Sequence, residues 1–275
     1  MKNKRIGIFD SGYGGFSVLK KIIEVLPQYS YTYFGDNQFA PYGNKIKKII
    51  SERTKKALDF LFRNDCNLVI LACNTASALS LKEIQSKWLP EYYPQKKVLG
   101  VLVPAIEEII NNNTINKICV IGTLATCNSK AYEREYAKRT QSKEIKKIFS
   151  YPTPRLVELV EQGESDENII KVLNSYSKKI LKLKPDAVVL GCTHYPLITK
   201  QIRSAFPSNI KIIDSAKNIG FSLKKYLDKH VDIKKEIKLN KQPFFYTTGD
   251  LHEFKTKINL FLNKKYCNNV FKAEV

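Results

Sequence analysis

Two cysteines, Cys73 and Cys192, stand in the same kind of place. Each ends a short apolar run and is followed by polar residues: Leu68 to Thr75 reads LVILACNT, and Ala187 to His194 reads AVVLGCTH. A thiol has an ordinary pKa near ~8.5, and a helix N-terminus or a cationic neighbour lowers it. A thiolate on one side of a carbon and a thiol on the other form a base and an acid that work near neutral pH. Such a pair could lift the weakly acidic α-proton from one face of an amino acid and return a proton to the other, without pyridoxal phosphate or a metal. Redox or nucleophilic work is the rival reading, and an inert buried cysteine is the bland one. The polar neighbours Asn74 and Thr75, then Thr193 and His194, favour chemistry. Cys66, Cys119, Cys127 and Cys267 lack that setting and are given no role.

Other candidates cluster at similar junctions. Asp10 and Ser11 follow an apolar run and precede Gly12, Gly14 and Gly15. Glycine-rich strand–helix turns expose backbone N–H groups that hold anions, either phosphate or carboxylate. The G-x-G-x-x-G and Walker spacings are absent, so a nucleotide site is poorly supported. Asp10 could orient an ammonium or polarise a thiol, or simply cap a turn. His194, two positions after Cys192, could tune that thiol through its own charge. Pro41, Tyr42 and Gly43 read as turn punctuation. Glu161 reads as an ordinary helix carboxylate. Six cysteines without a C-x-x-C pair, and only three histidines, argue against a structural zinc site.

The elements that must position these residues alternate. Strands are expected at Ile6 to Phe9, Tyr31 to Phe34, Leu68 to Ala72, Lys97 to Leu102, Ile118 to Ile121, Glu144 to Phe149, Ala187 to Leu190, Ile210 to Asp214 and Phe244 to Thr247. Helical spacing covers Phe16 to Val25, Ile46 to Phe62, Thr75 to Lys87, Pro104 to Asn111, Asn128 to Lys138, Arg155 to Gln162, Glu167 to Lys182, Tyr195 to Ala205, Ala216 to Leu227 and His252 to Leu262. Alternation of this kind predicts parallel sheets with right-handed crossovers. A weak internal repeat divides the chain: Ile6 to Ser11 (IGIFDS) resembles Ile118 to Thr123 (ICVIGT), and the two cysteine segments resemble each other. Two related α/β halves follow, expected as residues 1–96 plus 211–275, carrying Cys73, and 97–210, carrying Cys192. Ligands of open α/β sheets sit beyond the carboxyl ends of the strands, so the two thiols could flank one cleft.

Composition bounds the partners. The chain has 275 residues, 43% hydrophobic and 26% charged, enough for a proper core and unlike a disordered chain. Its apolar runs are strand-sized, whereas a bilayer span needs about 20 residues. Ile6 to Phe9 is too short for a secretory apolar region, so the expectation is a cytosolic protein without a membrane partner. The net charge of +20 invites a nucleic-acid reading, but the lysines are spread over the polar faces of the expected helices, and nucleic acid is the weaker reading.

Taken as an ordered set, the motifs resemble those of bacterial glutamate racemases: Gly7-Ile8-Phe9-Asp10-Ser11-Gly12 with Gly14-Gly15, Gly35-Asp36, Pro41-Tyr42-Gly43-Asn44, Ala72-Cys73-Asn74-Thr75-Ala76, Gly191-Cys192-Thr193-His194-Tyr195-Pro196, and Thr248-Gly249-Asp250. The resemblance runs from about Ile6 to about Leu262. It implies two flavodoxin-like parallel-sheet domains related by a pseudo-two-fold, with the active site between them. It also implies Cys73 and Cys192 as the acid/base pair, the former acting on D-glutamate and the latter on L-glutamate. Asp10 and His194 would assist them, and Asp36 and Glu161 would be additional catalytic acids. Asp10, Ser11, Tyr42, Gly43, Asn74, Thr75, Thr193 and His194 would bind substrate. No cofactor, a homodimer and supply of D-glutamate for peptidoglycan are further implications. An aspartate or hydantoin racemase, a related decarboxylase and a basic nucleic-acid-binding protein are the alternatives; the two cysteines together argue against the decarboxylase. Phe16-Ser17 and Thr153-Pro154 depart from the family pattern, and the tail from Asn263 to Val275 is expected outside the catalytic core.

Overall fold

The computed structural model describes residues 4–140, 146–239, 242–262 and 266–275. Unbroken apolar runs dictate its centre. The strands Arg5–Asp10 (β1), Tyr31–Gly35 (β2), Cys66–Leu71 (β3), Lys97–Gly100 (β4), Lys117–Gly122 (β5), Lys147–Pro152 (β6), Ala187–Gly191 (β7), Lys211–Asp214 (β8), Phe244–Thr247 (β9) and Val270–Lys272 (β10) form two sheets. Their orders are β10-β9-β2-β1-β3-β4 and β6-β5-β7-β8. Every pairing between these strands is parallel. Strands covered on both faces read as continuous hydrophobic runs, and β1 and β7 are buried along their whole length.

The internal repeat is a topological repeat. β1, β2, β3 and β4 take the same order in one sheet as β5, β6, β7 and β8 in the other, and β9 and β10 extend the first sheet beyond β2. In each half the chain leaves the central strand to opposite sides, which opens a crevice at the carboxyl ends of β1 and β3, and of β5 and β7. Those ends are where Asp10, Cys73, Thr123 and Cys192 stand.

The pleat sorts side chains by face. Ile6, Ile8, Leu68 and Ile70 of the first sheet join Ile118, Val120, Val189 and Ile213 of the second in a single apolar cluster. Phe9, Phe34, Val69 and Leu71 point the other way into a separate core, as do Cys119, Ile121, Val188 and Leu190. The shared layer includes residues of the helices Gly15–Val25, Leu102–Ile110 and Ile219–Lys229. Among the described residues no helix is long and apolar enough to cross a membrane.

Several boundaries differ from those expected. β4 pairs with β3 in the first sheet, and β8 pairs with β7 in the second, so each of these two strands joins the sheet of the half other than the one expected to hold it. An apolar run announces a strand but not which sheet it completes. The helix expected over Asn128 to Lys138 is broken by Lys130, whose φ of 51° separates Leu124–Ser129 from Ala131–Arg139. The helix from Asn74 passes through a π-helical turn at Ile84–Trp88 into Leu89–Tyr92. Tyr195–Ile198 is a 3-10 turn before the helix Thr199–Ala205, with Pro196 in its first turn. The strand expected from Glu144 starts outside the described residues; the described strand runs Lys147–Pro152. The tail adds an edge strand: Val270–Lys272 pairs with β9, and Ala273 is buried.

Close packing of the helices Gly15–Val25 and Ile219–Lys229 requires Gly220. A Cβ there would lie 2.7 Å from the Lys21 carbonyl oxygen and 2.8 Å from Val25 Cγ2. Gly220→Val is therefore expected to destabilise the protein by about 1–3 kcal/mol, measured by urea denaturation. Lys225→Ala, on the exposed side of the same helix, is expected to stay within about 0.5 kcal/mol.

Candidate active site

Cys73 and Cys192 occupy equivalent strand ends and line the same small cleft, together with Ser11, Tyr42, Gly43, Asn74, Thr75, Thr193, His194 and Glu161. Free space inside is about 20 Å³, room for roughly one water molecule. Both cysteines are buried, at 5% and 6% exposure.

Each sulfur has its own surroundings. Cys73 is the N-cap of the helix Asn74–Glu83 and accepts the Ala76 N–H at 3.4 Å. Ser11 Oγ lies 3.5 Å from Cys73 Sγ. Burial, reinforced by the Asp10 carboxylate, pushes the Cys73 thiol up to about 12, against the opposing pull of Ser11 and the Ala76 N–H. Cys192 Sγ lies 3.7 Å from His194 Nδ1. The other ring nitrogen, Nε2, is 2.9 Å from Glu161 Oε1. Burial draws His194 toward its neutral form, but Cys192 and Glu161 outweigh burial and raise it to about 10. His194 thus keeps its proton at neutral pH, beside the second sulfur.

The halves meet at these side chains. Asp10 is fully buried; its Oδ1 accepts the Gly12 N–H at 2.9 Å, and its Oδ2 accepts Thr193 Oγ1 at 3.2 Å. Burial raises the Asp10 carboxyl, while His194, the two backbone N–H groups of Gly12 and Gly15, and Thr193 oppose the rise. Ser17 Oγ donates to the Thr193 carbonyl at 2.9 Å. Thr75 Oγ1 of the first half lies 3.0 Å from Thr123 Oγ1 and 3.1 Å from Thr126 Oγ1 of the second. Gly14 and Gly43 permit this approach. A Cβ on Gly14 would fall 2.3 Å from Thr193 Oγ1, and one on Gly43 2.7 Å from Thr123 Cβ. At Gly14 the glycine-rich turn makes a contact between halves.

Asn74 Nδ2 donates to Tyr132 OH at 2.8 Å. Its Oδ1 is buried without a hydrogen-bond partner, an acceptor left open in the wall of the cleft. Asp36 is the expected site residue that stands apart. It does not line the cleft, and its carboxylate accepts Tyr42 OH at 2.6 Å, Arg53 Nε at 2.9 Å, Arg53 Nη2 at 2.7 Å and Thr248 Oγ1 at 2.9 Å. The two Arg53 bonds are the parallel, fork-like kind that fix geometry as well as charge. Thr123 and Val157 line the cleft but were not singled out from the sequence. Thr123 was legible, since it is the repeat equivalent of Ser11; Val157 and the partner Tyr132 carried no signal. Among the described residues no group of three or more His, Cys, Asp or Glu side chains could hold a metal ion.

Comparisons with known proteins identify the family. The Asp/Glu/Hydantoin racemase family model matches residues 6–219. Glutamate racemase of Dinoroseobacter shibae is 35% identical over 273 residues, covering 94% of this chain and 96% of that protein. Glutamate racemase of Aquifex aeolicus is 38% identical over 223 residues, covering 81% and 83%. Among solved structures, a glutamate racemase isoform from Bacillus anthracis superposes with a TM-score of 0.89 at 29% identity, covering 100% of this chain and 99% of that one. The glutamate racemase from Francisella tularensis, solved in complex with D-glutamate, superposes with a TM-score of 0.83 at 27% identity, covering 100% and 98%. With its fold, its paired-cysteine cleft and these matches in agreement, the chain belongs to the Asp/Glu/Hydantoin racemase family and is an isomerase.

Proposed function

We propose that this enzyme interconverts L-glutamate and D-glutamate with Cys73 and Cys192 as its two acid/base groups and no cofactor. One observation carries the reading: a thiol from each half enters the same cleft. An α-carbon held between them has one sulfur on each face. One thiolate removes the α-proton, the opposite thiol delivers its own, and the reverse reaction exchanges the roles. Cys192 acts on L-glutamate and Cys73 on D-glutamate. The relatives' substrate and the sequence motifs favour glutamate over aspartate or hydantoins.

The surroundings support distinct tasks. The open Asn74 Oδ1 suits the substrate ammonium. That cation, arriving beside Asp10 and Cys73, offsets the carboxylate that opposes ionisation of Cys73. The N-terminus of the helix Asn74–Glu83 favours negative charge at the cleft, which suits a Cys73 thiolate and a substrate carboxylate. Asp10 and Ser11 serve Cys73, and His194 with Glu161 serves Cys192. Tyr42, Gly43, Thr75 and Thr193 complete the substrate-binding wall. The enzyme acts as a cytoplasmic homodimer and supplies D-glutamate for peptidoglycan.

Cys73→Ala and Cys192→Ala are each expected to lower racemisation by at least about 10²-fold, followed by circular dichroism from either enantiomer. Cys→Ser variants should exchange the α-proton with deuterated solvent from one enantiomer only, with opposite preference in the two. Full activity in either alanine variant ends the two-base scheme, and activity on aspartate alone ends the substrate assignment.

Asp10 raises the Cys73 thiol, so Asp10→Asn should move the alkylation of Cys73 by iodoacetamide to lower pH. A profile unmoved, or moved upward, contradicts that electrostatic account.

His194 makes a pH-dependent contribution to stability. Its folded pKa, about 10, lies above its ordinary 6.5. The stabilisation is complete below about 6.5 and fades as pH rises toward 10. Urea denaturation from pH 6 to 10 should therefore show a steeper alkaline loss for the unaltered protein than for His194→Gln; parallel curves would contradict it.

A further inference from the structure

Tyr42 and Gly43 carry one wall of the cleft, yet they sit on a short irregular segment with 3-10 turns at Asn37–Phe39 and Tyr42–Asn44. Within the segment, backbone bonds run from Phe39 N–H to Asp36 O, Ala40 N–H to Asn37 O and Lys45 N–H to Tyr42 O. Further support comes from behind, from a buried polar node outside the cleft. Asp36 is fully buried, and Tyr42, Thr248 and Arg53 are at 1%, 2% and 7% exposure. The Arg53 guanidinium grips both Asp36 oxygens and donates through Nη1 to the Val275 main-chain oxygen at 2.9 Å. It also stacks over Phe39, 3.8 Å from the ring centroid. Thr248 Oγ1 donates to Asp36 and accepts the Gln38 N–H at 3.1 Å. The segment is therefore fastened at Asp36, Gln38, Phe39 and Tyr42.

We infer that Arg53, acting through Asp36 with Thr248, is a positioning residue that fixes Tyr42 and Gly43 for substrate binding; the inference rests on the cleft being the glutamate site. Its geometry argues for positioning over chemistry, since neither Arg53 nor Asp36 lines the cleft. A merely structural ion pair would need no branch to Tyr42. Here the Tyr42 hydroxyl shares Asp36 Oδ2 with Arg53 Nε, so loss of the guanidinium leaves the tyrosine on a carboxylate without its countercharge. Lysine at position 53 would keep a charge but lose the planar fork.

The test compares the unaltered protein with Arg53→Met, Arg53→Lys and Thr248→Val, the last a milder change in case Arg53→Met does not fold. KM and kcat for both glutamate enantiomers are measured alongside amide hydrogen exchange over residues 37–45. The expected result for Arg53→Met and Thr248→Val is a KM higher by about tenfold, the scale of one hydrogen bond, with kcat within about twofold. Arg53→Lys should recover part of the Arg53→Met loss, and exchange should quicken selectively in 37–45. Variants that fold, lose only thermal stability and keep KM would overturn the inference. If the unaltered protein does not racemise glutamate, the functional reading fails on its own; unchanged exchange over 37–45 in the variants would then refute the node separately.

Discussion

Two sheets that share one apolar layer cannot choose their orientation freely. One face of each sheet, with Ile6, Ile8, Leu68 and Ile70 on one side and Ile118, Val120, Val189 and Ile213 on the other, feeds a single core. Separating the halves completely would expose that layer to water, at roughly 25 cal/mol for each Å². Buried together, the sheets bring the carboxyl ends of β1, β3, β5 and β7 to a common seam. Everything distinctive about the cleft follows from that seam: the Asp10–Thr193 bond, the threonine cluster of Thr75, Thr123 and Thr126, and the two cysteines.

The seam joins two related halves but gives their thiols unlike company. Cys73 faces a buried carboxylate and a hydroxyl, and its proton is retained well beyond neutral pH. Cys192 faces an imidazole that Glu161 helps keep protonated. Topology repeats because one β-α-β arrangement serves both halves; electrostatics diverges because Asp10 and Ser11 stand at the end of the strand beside Cys73 where the repeat has Gly122 and Thr123, and because His194 follows Cys192. For the acid/base pair proposed above, the repeated placement would give access to both faces of a carbon, and the local charges would govern which group holds a proton.

The tightness of the seam explains its glycines. Gly14 and Gly43 lie where a β-carbon would strike Thr193 or Thr123, so those contacts set the distance between the walls. The Tyr42 hydroxyl bonds Asp36 of its own segment, and Asp36 in turn bonds Arg53 and the distant Thr248. Polar groups buried in this way must be satisfied by one another.

From the sequence alone came the alternating elements, the parallel sheets, the repeat and the junction positions of Asp10, Cys73 and Cys192. These are local properties: apolar period, the length of a run and the residues that end it. Thr123 could have been added by taking the repeat to its last residue. Tertiary structure alone decided that β4 belongs to the first sheet and β8 to the second, that Val270–Lys272 adds an edge strand, and that Asp36 turns away from the cleft toward Arg53. Each of these depends on which distant segment offers the partner for a strand edge or a buried charge. A one-dimensional pattern shows that a partner is needed; only the packed chain brings a particular one within reach.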